Sequence, residues 1–195
     1  MKKKRIAIFA SGSGSNAIKM LDFFKNSKQI EVALLLSNNK NAGVLEKTKN
    51  KIKQVVISNE EAKNGGFIKS IMNDNNVDYI ILAGYLRKIP EELIRAFPEQ
   101  IINIHPALLP KYGGKGMYGM NVHKSVFENK EQESGITIHL VNEKYDEGKI
   151  LAQHKVALSL EDTPEEIQKK VLEIEHKYFS SVVETYILSR KDSPS

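Results

Sequence analysis

The amino-acid sequence predicts an α/β fold in a single domain: a twisted, mostly parallel sheet with helices on both faces, of the Rossmann-like kind. Three observations carry this. Residues 6–10 (Ile-Ala-Ile-Phe-Ala), 32–36 (Val-Ala-Leu-Leu-Leu) and 77–82 (Val-Asp-Tyr-Ile-Ile-Leu) are short, nearly continuous apolar runs, as strands buried on both faces of a parallel sheet require. Helical spacing follows each run, and a β-α-β-α rhythm closes into a parallel sheet through right-handed crossovers. The length of 195 residues suits one domain, and the chain holds no internal repeat, linker or low-complexity tract. One domain is therefore expected over residues 1–195, with 1–5 and 189–195 as fraying ends.

Composition excludes several classes. Hydrophobic residues make up 41% and charged residues 27%, an ordinary balance for a globular domain with its own core. The net charge of +5 is spread along the chain, and only Lys2-Lys3-Lys4-Arg5 forms a run. So mild a field favours anionic small molecules but lacks the basic stripe with interleaved aromatics of a nucleic-acid binder. With no cysteine there is no disulfide, thiol nucleophile or thiolate metal site, which fits a reducing cytoplasm. The apolar run behind the basic start stops at Ala10, too short for a signal peptide, and no run approaches a membrane span. The expectation is a cytoplasmic protein acting on small molecules, with no nucleic-acid or membrane partner and an open oligomeric state.

In chain order, the first strand opens into Ser11-Gly12-Ser13-Gly14-Ser15-Asn16, ahead of a helical pattern through Met20, Leu21 and Phe24. Glycines between a strand and a helix let the backbone approach a ligand, and the free N–H groups of the helix start attract anions. The loop is not a P-loop, because no Lys-Ser/Thr follows at the required spacing. Gly12-x-Gly14-x-x-Ala17 fits a loose dinucleotide fingerprint. That reading needs an acid near the end of the second strand, where this chain has Ser37-Asn38-Asn39-Lys40. NAD is disfavoured, NADP survives as a rival through Lys40, and a phosphate site of some kind is the main reading against a plain tight turn. A short helix over 44–49, a weak strand at 55–57 and a flexible loop at Asn64-Gly65-Gly66 follow. Helices over 67–72 and 90–97 come next around the 77–82 strand, the second with Pro90 at its start.

Residues 100–110 read Gln-Ile-Ile-Asn-Ile-His-Pro-Ala-Leu-Leu-Pro, a short strand stopped by Pro106. Side chains alternate along a strand, so Asn103 and His105 share a face, roughly 6–7 Å apart, while Ile102 and Ile104 take the other. An amide and an imidazole thus arrive together at the carboxyl end of a strand, where open α/β sheets place their ligand crevices. A capping asparagine and a satisfied core histidine would be spelled the same way; the flanking segments decide between them. Gly113 to Gly119 is glycine-rich and reads equally as a mobile lid or as an ordinary surface loop. Along residues 135–141, Ile136, Ile138 and Leu140 share one face and Thr137 and His139 the other. A turn holding Asp146 and Gly148 leads to a strand over 150–157. The last helix opens with a capping box, Thr163 to Glu166 with Pro164 in the first turn. Its buried stripe is Ile167, Val171, Ile174, Tyr178 and Val182, with Glu175 at the margin.

Four of these segments, taken in order, resemble the folate-dependent formyltransferase family of purine biosynthesis. They are Ser-Gly-Ser-Gly-Ser-Asn at 11–16, Leu-Ala-Gly-Tyr-Leu-Arg at 82–87, Asn-Ile-His-Pro-Ala-Leu-Leu-Pro at 103–110, and Gly135 through Asp146 to Gly148. The resemblance runs from about residue 6 to residue 188. Its Asn-x-His-Pro-x-Leu-Leu-Pro motif belongs to folate formyl-group enzymes, and the glycine loop narrows it to members acting on glycinamide ribonucleotide or to their hydrolase cousins. It implies formyl transfer from 10-formyltetrahydrofolate, as co-substrate, to the glycyl amine of the ribonucleotide, with no metal. By the same resemblance, Gly14, Ser15, Asn16 and Glu175 would bind the ribonucleotide. Leu86, Arg87, Lys88 and Ile89, with Asn103, Asn142, Glu143, Lys144, Tyr145 and Asp146, would line the folate pocket. Asn103, His105 and Asp146 would be catalytic.

Two segments depart from the family pattern. The glycine-rich stretch 113–119 is longer than the usual proline-glycine segment, and Lys63-Asn64-Gly65-Gly66 stands where an arginine is common, so no residue is carried over there. In the chemistry the resemblance implies, the amine attacks the formyl carbon while Asn103 and protonated His105 donate to the developing oxyanion. Asp146 would orient His105, favour its charged form and accept the amine proton through a water. A nearby carboxylate raises a histidine pKa and burial lowers it, so sequence leaves the net direction open. Three rivals remain, the first a catalytically dead nucleotide-binding module, which the intact polar trio of Asn103, His105 and Asp146 counts against. A formyltetrahydrofolate hydrolase is expected to carry an extra N-terminal regulatory domain, which a start directly at the first strand counts against. An NADP-dependent oxidoreductase leaves the Asn103 segment without a use.

Overall fold

The computed structural model describes residues 2–190. Seven strands form one sheet: β1 (Lys4–Phe9), β2 (Ile30–Ser37), β3 (Gln54–Val56), β4 (Tyr79–Leu82), β5 (Ile101–His105), β6 (Glu133–Leu140) and β7 (Ile150–Ala157). Their order across the sheet is β3-β2-β1-β4-β5-β6-β7. The first five in that order pair parallel, whereas β6 pairs antiparallel with both β5 and β7. The chain winds outward from β1 to β3, then returns to place β4 on the other side of β1. Between β1 and β4 lies the switch point at which doubly wound sheets open a crevice.

Six α-helices cover the sheet: α1 (Ser15–Phe24), α2 (Gly43–Thr48), α3 (Gly65–Asp74), α4 (Glu91–Ala96), α5 (Met120–Glu128) and α6 (Pro164–Ser189). Because strand side chains alternate, the apolar runs feed two cores at once. Ile6, Ile8, Ile102, Ile104, Ile136 and Ile138 pack with Met20 of α1 and Val171, Phe179 and Val183 of α6. Ala7, Phe9, Leu34, Leu36, Ile80 and Ile101 pack with Ile68 and Met72 of α3 and Leu93 and Ile94 of α4. The parallel α/β architecture read from the sequence is thus the observed one.

Several elements differ from expectation, each for a local reason. Lys4 and Arg5 are ordered in β1, and Ser189 still belongs to α6; of the expected fraying ends, residues 1 and 191–195 lie outside the described residues. Asn64-Gly65-Gly66 is no flexible loop: the Asn64 side chain caps α3 by accepting the Phe67 N–H at 2.9 Å. Gly65 lacks a side chain because Glu92 Cβ stands 2.8 Å from where its Cβ would be. Pro90 sits just before α4 rather than within it, and β4 begins at Tyr79, two residues after Val77. Helix α5 was not anticipated, since only Val122, His123 and Val126 are buried along it and Gly119 offers no side-chain cap. Along α6 the buried line runs Ile167, Val171, Glu175, Phe179, Val183, Ile187, while Ile174, Tyr178 and Val182 are only partly buried. Glu175 therefore lies within the stripe instead of at its margin.

Glycines 135 and 148 gain a steric reason. A Cβ on Gly135 would lie 2.2 Å from the His154 carbonyl oxygen across the β6–β7 ladder. One on Gly148 would lie 1.7 Å from the Leu140 carbonyl oxygen, where the turn carrying Asp146 folds back on β6. Gly148→Ala should therefore push that turn outward. The expected loss is about 1–3 kcal/mol, read as a fall in Tm of about 2–4 °C per kcal/mol for a chain of this size. An unchanged Tm would mean that the turn does not need this close approach.

Candidate active site

A cleft of roughly 640 Å³ opens at the carboxyl ends of β1, β4 and β5. Its walls are the glycine loop 12–16, residues 82–89 after β4, the end of β5, the segment 114–119, residues 139–146 and the α6 face bearing Gln168, Val171, Leu172 and Glu175. Every residue that the sequence assigned to a substrate or to catalysis lines this cleft. Segments far apart in the chain meet here because the strands that carry them are neighbours in the sheet.

Asn103 and His105 do share a face of β5, and antiparallel pairing sets His139 of β6 opposite Asn103 and Thr137 opposite His105. His139 Nδ1 donates to the Leu140 carbonyl at 2.9 Å, so its Nε2 carries a lone pair and accepts the Asn103 Nδ2–H at 3.1 Å. That bond uses one amide hydrogen and leaves the other free. His105 Nε2 donates to the Tyr112 carbonyl at 2.7 Å, which turns its Nδ1 toward Asp146 Oδ2 at 3.7 Å. Asp146 Oδ1 lies 3.6 Å from His139 Nε2, and Asp146 Oδ2 accepts the Gly114 N–H at 2.9 Å. Tyr112 and Asp146, on the two sides of His105, both adopt positive φ, 56° each. Gly113 between them has no room for a Cβ, which would lie 2.6 Å from Leu109 Cδ2.

The electrostatics settle the direction that sequence left open. Burial pushes the His105 pKa below its ordinary 6.5, outweighing the upward pull of the Asp146 carboxylate and the Tyr112 carbonyl. The resting imidazole is therefore neutral at neutral pH, contrary to the expected imidazolium. Burial raises Asp146, but the neighbouring His139 and His105 rings and the Gly114 N–H outweigh it and hold the carboxyl below its usual range.

Across the cleft, Gly14 stands at the N-cap of α1 with φ 70°, and no side chain caps the helix. The first-turn N–H groups of α1 thus remain available to an anion. A Cβ on Gly14 would lie 2.1 Å from Val44 Cγ2 of α2, so packing and its left-handed backbone already require glycine at this place in the cleft wall. Gly12 is the open one: a Cβ there meets nothing within 4 Å. Asn16 donates from Nδ2 to Glu175 Oε2 at 2.6 Å, and Asn16 Oδ1 is buried without a hydrogen-bond partner among the described residues. Glu175 is only 8% exposed, and burial raises its pKa although the Asn16 amide lowers it.

Comparison with known proteins places this geometry. The formyl transferase family profile matches residues 4–183. The chain belongs to the formyl transferase family. It is 44% identical over 189 residues to a chloroplastic phosphoribosylglycinamide formyltransferase of Arabidopsis thaliana, covering 93% of this chain but 65% of that protein. It is 33% identical to the phosphoribosylglycinamide formyltransferase of Bacillus subtilis, covering 92% of this chain and 93% of the relative. The crystal structure of the Bacillus halodurans phosphoribosylglycinamide formyltransferase superposes with a TM-score of 0.86 at 30% identity, covering 97% and 98% of the two chains.

Within this formyltransferase cleft, two histidines escaped the sequence reading. His139 was placed on the correct face, but nothing in its spacing marked it as the partner of Asn103; only the β5–β6 register does. His123 lines the cleft from α5, buried with Nδ1 unpartnered among the described residues. Burial, with the nearby His105, pushes its pKa down to about 4. Lys63 pairs with Glu60 at 3.0 Å on the surface and does not line the cleft. Lys88 and Tyr145 approach across the mouth, the ammonium 5.8 Å from the ring centre. Among the described residues no cluster of three or more acids and histidines could hold a metal.

The raised pKa of Glu175 makes a stability prediction with a defined sign. Its folded pKa lies above the ordinary 4.5, so the fold favours the protonated acid. That contribution is complete below 4.5 and is lost as pH rises through the raised value. Glu175→Gln cannot ionise, and its amide oxygen can still accept the Asn16 N–H. The variant should melt above wild type at neutral pH and converge with it in acid. A variant less stable than wild type at neutral pH would contradict the strained carboxylate.

Proposed function

We propose that this chain transfers the formyl group of 10-formyltetrahydrofolate to the glycyl amine of glycinamide ribonucleotide, a step of purine biosynthesis. The observation that carries the reading is Glu175. A buried carboxylate held by one amide and no cation stands beside an uncapped helix start, in the same cleft as Asn103, His105 and Asp146. A substrate with a phosphate at one end and an amine at the other complements that pair: the phosphate takes the free N–H groups of α1 and the amine takes Glu175. The names of the plant and bacterial relatives support the ribonucleotide as formyl acceptor; the folate donor rests on the resemblance carried by the sequence motifs. Residues 86–89 and 142–146 form the opposite wall, apolar and exposed at Leu86 and Tyr145, and suit a folate ring. The cysteine-free composition fits a reducing compartment, and we assign the protein to the cytoplasm; no described helix is long and apolar enough to cross a membrane.

In the proposed reaction the neutral glycyl amine attacks the formyl carbon, and the carbonyl electron pair moves onto the oxygen. The amide hydrogen of Asn103 that His139 leaves free donates to that oxyanion. The attacking nitrogen, now positively charged, passes its proton to His105 Nδ1, which is unprotonated at rest and faces the cleft beside Asp146. The Asp146 carboxylate stabilises the imidazolium that forms. As the oxyanion collapses, the bond from carbon to the folate nitrogen breaks and the imidazolium returns its proton to that nitrogen. Formylglycinamide ribonucleotide and tetrahydrofolate leave, and His105 is neutral again.

Incubation with 10-formyltetrahydrofolate, with and without glycinamide ribonucleotide, tests the function directly. Folate turnover that requires the ribonucleotide is the expected outcome; turnover in water alone would make the protein a hydrolase. For the catalytic pair, Asp146→Asn and His105→Ala should each slow single-turnover transfer by about 100-fold or more. The double variant should be scarcely slower, since groups acting as one unit are non-additive. Because His105 must be unprotonated, kcat/KM should hold through neutral pH and fall only on the acid side of 6.5, and Asp146→Asn should move that limb lower. Folded single variants with near-full rates would sink the mechanism.

The two glycines of the loop should separate ligand contact from packing. Gly12→Val puts a side chain into open space at the cleft wall and should weaken glycinamide ribonucleotide binding about tenfold or more while leaving Tm nearly unchanged. Gly14→Val collides with Val44 and should lower Tm. Calorimetry and melting curves on the pair decide; a Gly12→Val protein that binds the ribonucleotide normally would move the phosphate elsewhere.

A further inference from the structure

Ser11 stands just behind the cleft wall, outside its lining, yet every polar group it owns is engaged. Its N–H donates to the Gly84 carbonyl at 3.0 Å, and its carbonyl accepts the Asn39 Nδ2–H at 3.2 Å. Its hydroxyl donates to Asn38 Oδ1 at 2.6 Å and accepts the Leu86 N–H at 3.0 Å. Asn38 is anchored in turn, donating from Nδ2 to Asn59 Oδ1 at 3.0 Å. The residue itself is only 6% exposed, and its side-chain bonds are partly buried. Ser11 thus lies where β1, β2 and β4 end side by side, at the switch point of the sheet.

The next residue after Ser11 is Gly12, which opens the loop on the phosphate side, and Leu86 begins the wall on the folate side. We propose that the Ser11 hydroxyl is a positioning group that couples the two half-sites, so that occupancy of the glycine loop tightens the folate wall and the reverse. The inference rests on the function proposed above. It also gives a use to the asparagine pair 38–39 at the end of β2. In a dinucleotide enzyme an acid at that place would face a ribose; here the amides turn inward and hold Ser11. The hydroxyl has one hydrogen, and Asn38 takes it, which leaves the lone pairs aimed at the Leu86 amide. A movement of the glycine loop that shifts Ser11 must therefore shift Leu86 or break a partly buried hydrogen bond.

Coupling of this kind is reciprocal and commonly amounts to about 5-fold or more in affinity. Tetrahydrofolate and glycinamide ribonucleotide form an unreactive pair, so calorimetry can measure each alone and each with the other at saturation. In the wild type each ligand should tighten the other about 5-fold or more. In Ser11→Ala that factor should fall to near one, tetrahydrofolate alone should weaken several-fold, and the ribonucleotide alone should change less than about twofold. Asn38→Ala leaves both walls of the cleft untouched but frees the hydroxyl to rotate, and should lose coupling in the same direction; it decides the matter should Ser11→Ala not fold. Wild-type coupling retained in the folded variant, or absent from the wild type, would overturn the role of Ser11 while leaving the proposed function standing. A wild-type protein that binds neither ligand overturns both.

Discussion

The site depends on the reversal of strand direction between β5 and β6. Across an antiparallel pair, residues on the same face stand directly opposite each other. That register puts His139 against Asn103 and Thr137 against His105. His139 fixes which amide hydrogen of Asn103 remains free. Thr137 accepts the Leu109 N–H at 2.9 Å and donates to the Ala107 carbonyl at 2.7 Å, which ties down the chain leaving β5 and lets Tyr112 return to His105. A slip of one residue would turn the amide and the imidazole of β5 into the apolar layer beneath α6.

Two carboxylates face this cleft, Glu175 buried and Asp146 half-buried, and their surroundings drive them apart. Asp146 is ringed by a main-chain N–H and two imidazoles and stays ionised. Glu175 has one amide and little else, and its ionised form is disfavoured until a cation or amine arrives. The difference fits a division of labour in which one acid supports chemistry and the other waits for a ligand. His105 follows the same logic, since burial keeps it neutral where a proton is to be received.

Much of this was legible in the residues. Unbroken apolar runs announced a parallel sheet because only strands covered on both faces can hide so many Ile and Leu side chains. Alternation at 103–105 and at 136–140 gave the correct faces, and the Thr163–Glu166 box marked the start of α6, with both of its hydrogen bonds present. The failures have a common cause. Helix α5 carries too few apolar residues to show a period, and Glu175 sits within a stripe that a reading by hydrophobicity places one residue earlier. The close packing of Gly14 against α2 was also not visible, while Gly12 faces open space. Partnerships such as His139 with Asn103, or Ser11 with Leu86, join residues 36 and 75 positions apart. Only strand order across the sheet reveals those.

The acceptor that orients His105 is a main-chain oxygen. No substitution at position 112 can delete it, because every amino acid brings the same carbonyl. What can be lost is the left-handed backbone that aims it, with Tyr112 anchored through its hydroxyl to Glu131 at 2.9 Å. The orientation of the His105 imidazole is therefore insulated from ordinary drift in side-chain identity and exposed to insertions or deletions between Pro106 and Gly114. Change in loop length, not in composition, is the kind of variation this centre tolerates least.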